Sequence, residues 1–204
     1  MSVKRLRERQ AAATREHLVA VARLRFAERG YAATSIEDIV QRAGVAKGAL
    51  YHHFSGKDAL FRAVYDAVLA DVVSAVMAAA GAEPEPWASV RAGLSAFLDA
   101  CLDPAFRRIV ILESVSVLHP DVREAEIGQV ELPMLRTVLT PLADDALPGI
   151  AVDPLAHVAL GGLYGAALFI ARSPDPGAAR HEVDIVLDTL IEGLGVQHQE
   201  SGTT

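Results

Sequence analysis

Residues 34 to 54 read TSIEDIVQRAGVAKGALYHHF, an order that few folds accept. Ile36, Ile39, Val40 and Ala43 recur at helical spacing and mark the apolar side of a short helix. Thr34, with Glu37 three residues on, has the pattern of a capping box, in which a hydroxyl and a carboxylate satisfy the free N–H groups at a helix start. Gly44 ends that helix, because glycine takes a left-handed backbone there without strain, and Val45 plugs the turn. A second helix follows from Ala46 to about His53, with Leu50 and Phe54 one turn apart and facing inward. Two short helices joined by a glycine-containing turn make a helix-turn-helix. The second helix of such a pair enters the DNA major groove with its N-terminal residues foremost. Here those residues are Ala46, Lys47 and Gly48, followed one turn later by Tyr51 and His52.

The flanks fit the same reading. A helix from about Thr14 to Arg29 presents Leu18, Val21, Ala22 and Phe26 on one side, with Tyr31 just beyond it, and Gly30 stops it. Ser55 is positioned to cap a fourth helix, with Asp58 at its third position. No run alternates apolar and polar residues over strand length, and the apolar excess is Ala, Val and Leu, so the chain reads as all-α.

The net charge of −7 hides a division. Residues 1–57 carry eleven Lys and Arg against five acids, a balance of +6, while the remainder stands at −13. A basic head on an acidic body suits a chain that meets a polyanion at one end. Two other readings of the region fail on spacing. His52 and His53 are adjacent and diverge around a helix, no two histidines stand four apart, and Cys101 is distant, so a zinc site is not indicated. A phosphate-binding GxxxxGK[ST] loop is absent, and no strand precedes the glycines.

From about Arg9 to Phe61 the chain resembles the TetR (tetracycline-repressor-like) family of transcriptional regulators. The resemblance lies in FAERGYAATSIEDIVQRAGVAKGALYHHFSGKDALF taken in order. The family commonly has a hydroxyl residue where Ala46 stands. The resemblance implies DNA contacts from Thr34, Lys47, Gly48, Tyr51, His52 and Lys57, and structural roles for His53 and Phe54. It also implies a homodimer joined through the last two long helices, and a small-molecule effector held in the body.

Residues 1–56 are therefore expected to form the DNA-binding domain and 57–204 a helical ligand-binding and dimerisation domain. A long helix carrying Leu60, Phe61, Val64, Val68, Val72 and Val76 opens the body. Asp103-Pro104, Asp153-Pro154 and Asp175-Pro176 each open a helix in the favoured cap-then-proline order. Pro133 and Pro141 interrupt or kink the helices between 121 and 147. LAHVALGGLYGAALFIA, residues 155–171, is short of the roughly twenty apolar residues of a bilayer span and reads as a helix buried on most faces. Its Gly161, Gly162, Gly165 and Ala166 allow close helix approach. The last helix adds Val183, Val186, Leu187, Leu190, Ile191 and Leu194, and the closing QHQESGTT reads as disordered.

Phe97, Cys101, Glu113, His157 and Tyr164 are the candidate lining of a largely apolar pocket. Glu113 alternatively pairs with Arg107 or Arg108. A single cysteine excludes an internal disulfide, and with the charged N-terminus it suits a cytoplasmic protein. No metal, cofactor or membrane association is expected. The alternatives to an effector-released repressor are a TetR-like regulator controlled by a protein partner and, from another class, an all-α enzyme. No nucleophile–base spacing favours the enzyme.

Overall fold

The computed structural model describes the backbone of residues 3–145, 147 and 149–201, and the side chains of these residues except at 3, 4, 6, 145 and 194–201. In chain order the helices are α1 (Val3–Arg29), α2 (Ile36–Ala43), α3 (Lys47–His53), α4 (Lys57–Gly81), α5 (Pro86–Ala100), α6 (Ser114–Val117), α7 (Pro120–Glu126), α8 (Leu132–Asp145), α9 (Val152–Arg172) and α10 (Pro176–Ser201). Wider π-helical segments, Phe106–Glu113 and Ile127–Glu131, lead into α6 and α8. No strand occurs among the described residues, so the fold is all-α as the sequence predicts.

The chain packs as two units. One comprises the chain up to Leu69 together with Pro104–Leu118; the other comprises Ala70–Asp103 and the chain from His119 onward. In the first unit Leu18, Ala22, Phe26, Ile39, Leu50, Leu60, Phe61, Val64 and Tyr65 are fully buried. The Phe26, Tyr31 and Phe61 rings lie 5.2–6.0 Å apart between centroids, within the range of favourable aromatic pairs. Gly30, at φ 81°, and Gly44, at φ 65°, turn the chain out of α1 and α2 as expected.

Three local expectations need correction. α1 begins at Val3 rather than near Thr14. The Thr14 hydroxyl lies inside α1 and donates to the Gln10 carbonyl at 2.9 Å, one turn back. The cap of α2 is Ser35, which accepts from the Asp38 N–H at 3.1 Å, one residue on from the expected Thr34. α4 is entered through Gly56, whose carbonyl receives the Leu60 N–H.

Phe106–Glu113 closes the end of α1 within this unit. Arg108 Nη1 donates to the carbonyls of Ala27 and Glu28 at 3.2 and 2.9 Å, occupying C-terminal acceptors that a helix leaves open. Glu113 Oε2 accepts from the Tyr31 N–H at 2.8 Å, and its Oε1 lies 3.6 Å from Arg108 Nε.

The second unit is built around α8 and α9. Leu135, Leu139 and Leu142, at helical spacing on α8, share a core with Ala156 and Leu163 of α9 and Val90 of α5. Gly93 of α5 lets that helix lie against Val76 and Ala80 at the end of α4. Pro86 and Pro120 stand in the first turns of α5 and α7. Asp175 caps α10, its carboxylate accepting from the Ala178 N–H at 3.0 Å, whereas α9 is capped at Ala151, two residues before Asp153. Pro141 lies inside α8.

By length and composition α4 and α9 would each suffice to cross a bilayer. α9 is less enclosed than the sequence suggests: Ala156, Leu163, Ala167 and Ile170 are buried, but Val158 and Phe169 are exposed, and space is open beside Gly161, Gly162 and Gly165. α10 exposes Ile185, Val186 and Leu190 and runs to Ser201, so residues 197–201 of the tail are helical. The Leu194 side chain and residues 202–204 lie outside the described set.

Candidate nucleic-acid interface

α3 is seven residues long and divides cleanly. Leu50 is buried and Phe54 is 4% exposed, while Lys47, Gly48, Tyr51 and His52 are exposed. A helix advances about 100° per residue, so positions i, i+1, i+4 and i+5 share one face. Nothing lies within 4 Å of the position a Cβ would take on Gly48, which leaves the backbone open to close approach from outside. Arg15 of α1 stacks over Phe54, 5.2 Å from the ring centre, and His17 Nε2 lies 3.1 Å from the Ala43 carbonyl at the end of α2. The second helix of the pair is thus held from behind and open in front.

The electrostatics of this face are local. Lys47 pairs with Glu37 of α2, an exposed contact that raises the lysine pKa and lowers that of the glutamate. The Lys47 ammonium also lies 6.0 Å from the centre of the Tyr51 ring. Exposed pairs of this kind contribute little to stability, so Lys47 can exchange its carboxylate for a phosphate at low cost.

Two of the six residues expected at DNA are engaged elsewhere. Thr34 is 1% exposed, and its hydroxyl donates to the Gly30 carbonyl at 2.7 Å, fastening the turn between α1 and α2. Lys57 Nζ donates to the carbonyls of Tyr31 and Thr34 at 2.9 and 3.1 Å and lies 4.1 Å from the Tyr31 ring centre. Both side chains hold the 31–34 turn rather than face outward.

Arg25 carries a role the sequence did not suggest. Counted among the surface cations of a basic head, it is buried, with Nε and Nη2 on the two oxygens of Asp38 at 2.5 and 2.7 Å and Nη1 on Glu28 at 2.8 Å. This fork locks α1 to α2, and its hydrogen bonds hold the Asp38 carboxyl below its ordinary pKa. The available signal was its spacing: Arg25 precedes Phe26 and follows Leu18 and Ala22 on the buried side of α1.

The five candidate effector residues do not converge. Glu113 belongs to the first unit and binds the Tyr31 N–H. His157 is exposed, with Nδ1 2.8 Å from the Asp153 carbonyl of its own helix. Cys101 is fully buried at the end of α5, and Phe97 is half-buried against the second core. Tyr164 meets a buried carboxylate, donating from its hydroxyl to Glu131 Oε1 at 2.6 Å. Glu131 was missed, although VELPML also sets a carboxylate between apolar residues. Among the described residues no cluster of three or more His, Cys, Asp or Glu is placed to hold a metal ion.

Comparison with known proteins bears on most of the chain. Residues 18–64 match the family model of bacterial regulatory proteins of the tetR family, and residues 87–194 match that of the tetracyclin repressor-like C-terminal domain. The chain is similar to the HTH-type transcriptional activator FasR of Mycolicibacterium smegmatis, 35% identical over 97 residues (48% of this chain and 44% of that protein). It is also similar to the HTH-type transcriptional repressor AcnR of Corynebacterium glutamicum, 35% identical over 134 residues (61% and 70%). The chain spans about half the length, 53% and 44%, of two of the curated relatives it matches. The crystal structure of a TetR-family transcriptional regulator from Pectobacterium atrosepticum matches with a TM-score of 0.78 at 31% identity, covering 92% of this chain and 96% of that one.

Proposed function

We infer, because this chain belongs to the TetR family of bacterial transcriptional regulators, that it is a cytoplasmic, homodimeric repressor released from a palindromic DNA operator by a small, largely apolar effector. Its work is binding, not catalysis. The observation that carries this reading is the exposed row of Lys47, Gly48, Tyr51 and His52 on the second helix of the pair, braced by buried Leu50 and Phe54. Lys47 supplies a cation for phosphate or for guanine, Tyr51 a planar face and a hydroxyl, and Gly48 a close backbone approach. A two-fold dimer reads an inverted repeat whose half-sites lie about one helical turn, or a multiple of it, apart.

The apolar side chains exposed on α9 and α10 (Val158, Phe169, Ile185, Val186 and Leu190) support pairing of two copies through these helices. Two recognition helices on one dimer share an effective concentration that neither has alone. An effector that prefers one of two dimer states by roughly 1–3 kcal/mol changes operator affinity about 5–150-fold.

Genomic footprinting with purified protein identifies the operator, and Tyr51→Ala tests the face. Tyr51 is half-exposed and leaves Leu50 and Phe54 in place when truncated. The variant is expected to lose operator affinity while melting temperature and dimerisation stay near the parent. Equal affinity at matched salt removes α3 as the reading helix.

A further inference from the structure

Glu131 is 5% exposed, buried in the second unit at the end of the π-helical segment Ile127–Glu131. π-helical segments are uncommon and concentrate at functional sites. One carboxylate oxygen, Oε1, accepts from the Tyr164 hydroxyl at 2.6 Å and lies 3.8 Å from Arg123 Nη1. The Arg123 guanidinium stacks over the Tyr164 ring, 4.9 Å from its centre. The other oxygen, Oε2, is buried and receives no hydrogen bond from any described protein group. Buried carboxylates normally satisfy both oxygens, because an unpaired acceptor has given up water for nothing.

The surroundings limit what can pair with Oε2. Leu132 is the next residue, and Leu132 and Ile127 belong to the unit's apolar core. The charged neighbours are Arg123, which favours the ionised carboxyl, and Glu126, which opposes it. Burial, the largest influence, pushes the Glu131 carboxyl above its usual range, against the Tyr164 hydrogen bond and Arg123, which pull it down. Both of these groups meet Oε1, and the Arg123 guanidinium beside it favours the ionised form, in which Oε2 is an acceptor. Arg123 already balances the carboxylate, so a second cation gains little, and an anion would meet the carboxylate directly.

We propose that Glu131 Oε2 is the polar anchor of the effector site, and that the effector is an uncharged, mostly apolar molecule bearing one hydrogen-bond donor, of the alcohol class. This rests on the reading of the chain as an effector-responsive regulator and names the chemistry of that site. Glu131 accepts the donor, and the leucine-rich core of the second unit takes the apolar part. Tyr164, by fixing Oε1, leaves Oε2 turned to the ligand.

The experiment uses the intact chain and its single tryptophan, Trp87, which packs against the same core as Leu132. Trp87 fluorescence is titrated with 1-decanol, with the ether 1-methoxynonane of equal heavy-atom count, and with decanoate. The parent is expected to bind decanol about tenfold tighter than the ether, the difference one net hydrogen bond makes. Decanoate should bind weakest. Glu131→Gln has nearly the same shape but replaces the acceptor with an amide N–H₂, because the Tyr164 hydroxyl holds the amide oxygen at the Oε1 position. Its preference should reverse toward the ether. Equal affinities for alcohol and ether in the parent, an ether preference there, or no binding of either probe overturns the anchor, whether or not Glu131→Gln folds. An alcohol preference unchanged in a folded Glu131→Gln also overturns it. Operator binding, measured in the same titration, reports separately on the underlying reading. Decanol bound with the stated preference but without effect on the operator keeps the anchor and removes the effector-released repressor.

Discussion

In the first unit the Lys57 ammonium, the Thr34 hydroxyl and the Arg25 guanidinium all end on partners within the unit. In the second, Glu131 Oε2 and Arg180 Nε are buried without a hydrogen-bonding partner among the described residues, and α9 and α10 carry large exposed apolar side chains. The function proposed for each unit accounts for the difference. A DNA-reading unit has to present one side chain array unchanged, so its turns and helix ends are closed by specific hydrogen bonds. A unit that accepts a ligand and a second copy must leave both apolar surface and polar capacity uncommitted, at some cost to its stability alone.

The largest effect that could break this contrast comes from matched phenylalanine truncations. Phe54 is 4% exposed and Phe169 is 53% exposed. Phe54→Ala removes a core aromatic and should destabilise the first unit by about 3–5 kcal/mol, abolishing DNA binding through unfolding. Phe169→Ala should leave helicity intact, lower the melting temperature only as far as the dimer weakens, and shift the sedimentation profile toward monomer. If Phe169→Ala unfolds the protein at concentrations where the parent is monomeric, α9 belongs to the core of one chain rather than to a dimer face.

Next in size is Gly30→Ala. Gly30 has φ 81°, and a Cβ there would collide with Glu113 Oε1. The substitution combines a left-handed backbone with loss of the carboxylate that receives the Tyr31 N–H, and should cost about 1–3 kcal/mol. Thermal melts of Gly30→Ala and Glu113→Ala, singly and combined, check the pairing. The double variant should fall short of the sum, since both break one contact. Full additivity separates Glu113 from the turn.

A smaller effect tests the Arg25 fork through pH. Hydrogen bonding to Arg25 lowers the Asp38 pKa in the folded protein. A carboxyl with a lowered folded pKa adds stability that is complete above its unfolded value, about 3.9, and is lost as pH falls through the folded one. The melting-temperature gap between parent and Asp38→Asn should therefore be wide at pH 7 and narrow below pH 4. A gap independent of pH would mean the two helices are joined by packing rather than by the ion pair.

Sequence carried the buried and exposed sides of α3 and lost the sites that depend on distant partners. Leu50 and Phe54 inward, and Lys47, Tyr51 and His52 outward, follow from a 3.6-residue period over one short helix. Ser35 rather than Thr34 caps α2 because two adjacent hydroxyls compete for one position, and only the backbone turn at Gly30 decides which is drawn inward. In the second unit the informative contacts join Glu131 to Tyr164 and Arg91 to Asp188, separations of 33 and 97 residues, with no local pattern to reveal them. The π-helical segments add one residue per turn, so a periodicity read at 3.6 drifts across 106–113 and 127–131. His157 looked internal because its neighbours are apolar, but they are apolar on the exposed side of α9 as well.

The finest distinction lies within the first unit, between two lysines that the sequence treats alike. Each contact that neutralises a DNA phosphate releases counterions and steepens the fall of affinity with salt. Lys47 is half-exposed and paired with an exposed carboxylate, Glu37, while Lys57 gives two hydrogen bonds to the 31–34 turn and stacks on Tyr31. Lys47→Ala should therefore flatten the slope of log affinity against log salt by about one unit, with melting temperature nearly unchanged. Lys57→Ala should do the opposite: it frees two carbonyls, lowers the melting temperature, and leaves the slope of the remaining folded protein as it was. Glu37→Gln provides the internal control, because releasing Lys47 from its carboxylate should raise operator affinity without altering the contact count. A slope that changes in Lys57→Ala and not in Lys47→Ala would exchange the roles of the two residues, and the turn rather than α3 would then face the phosphates.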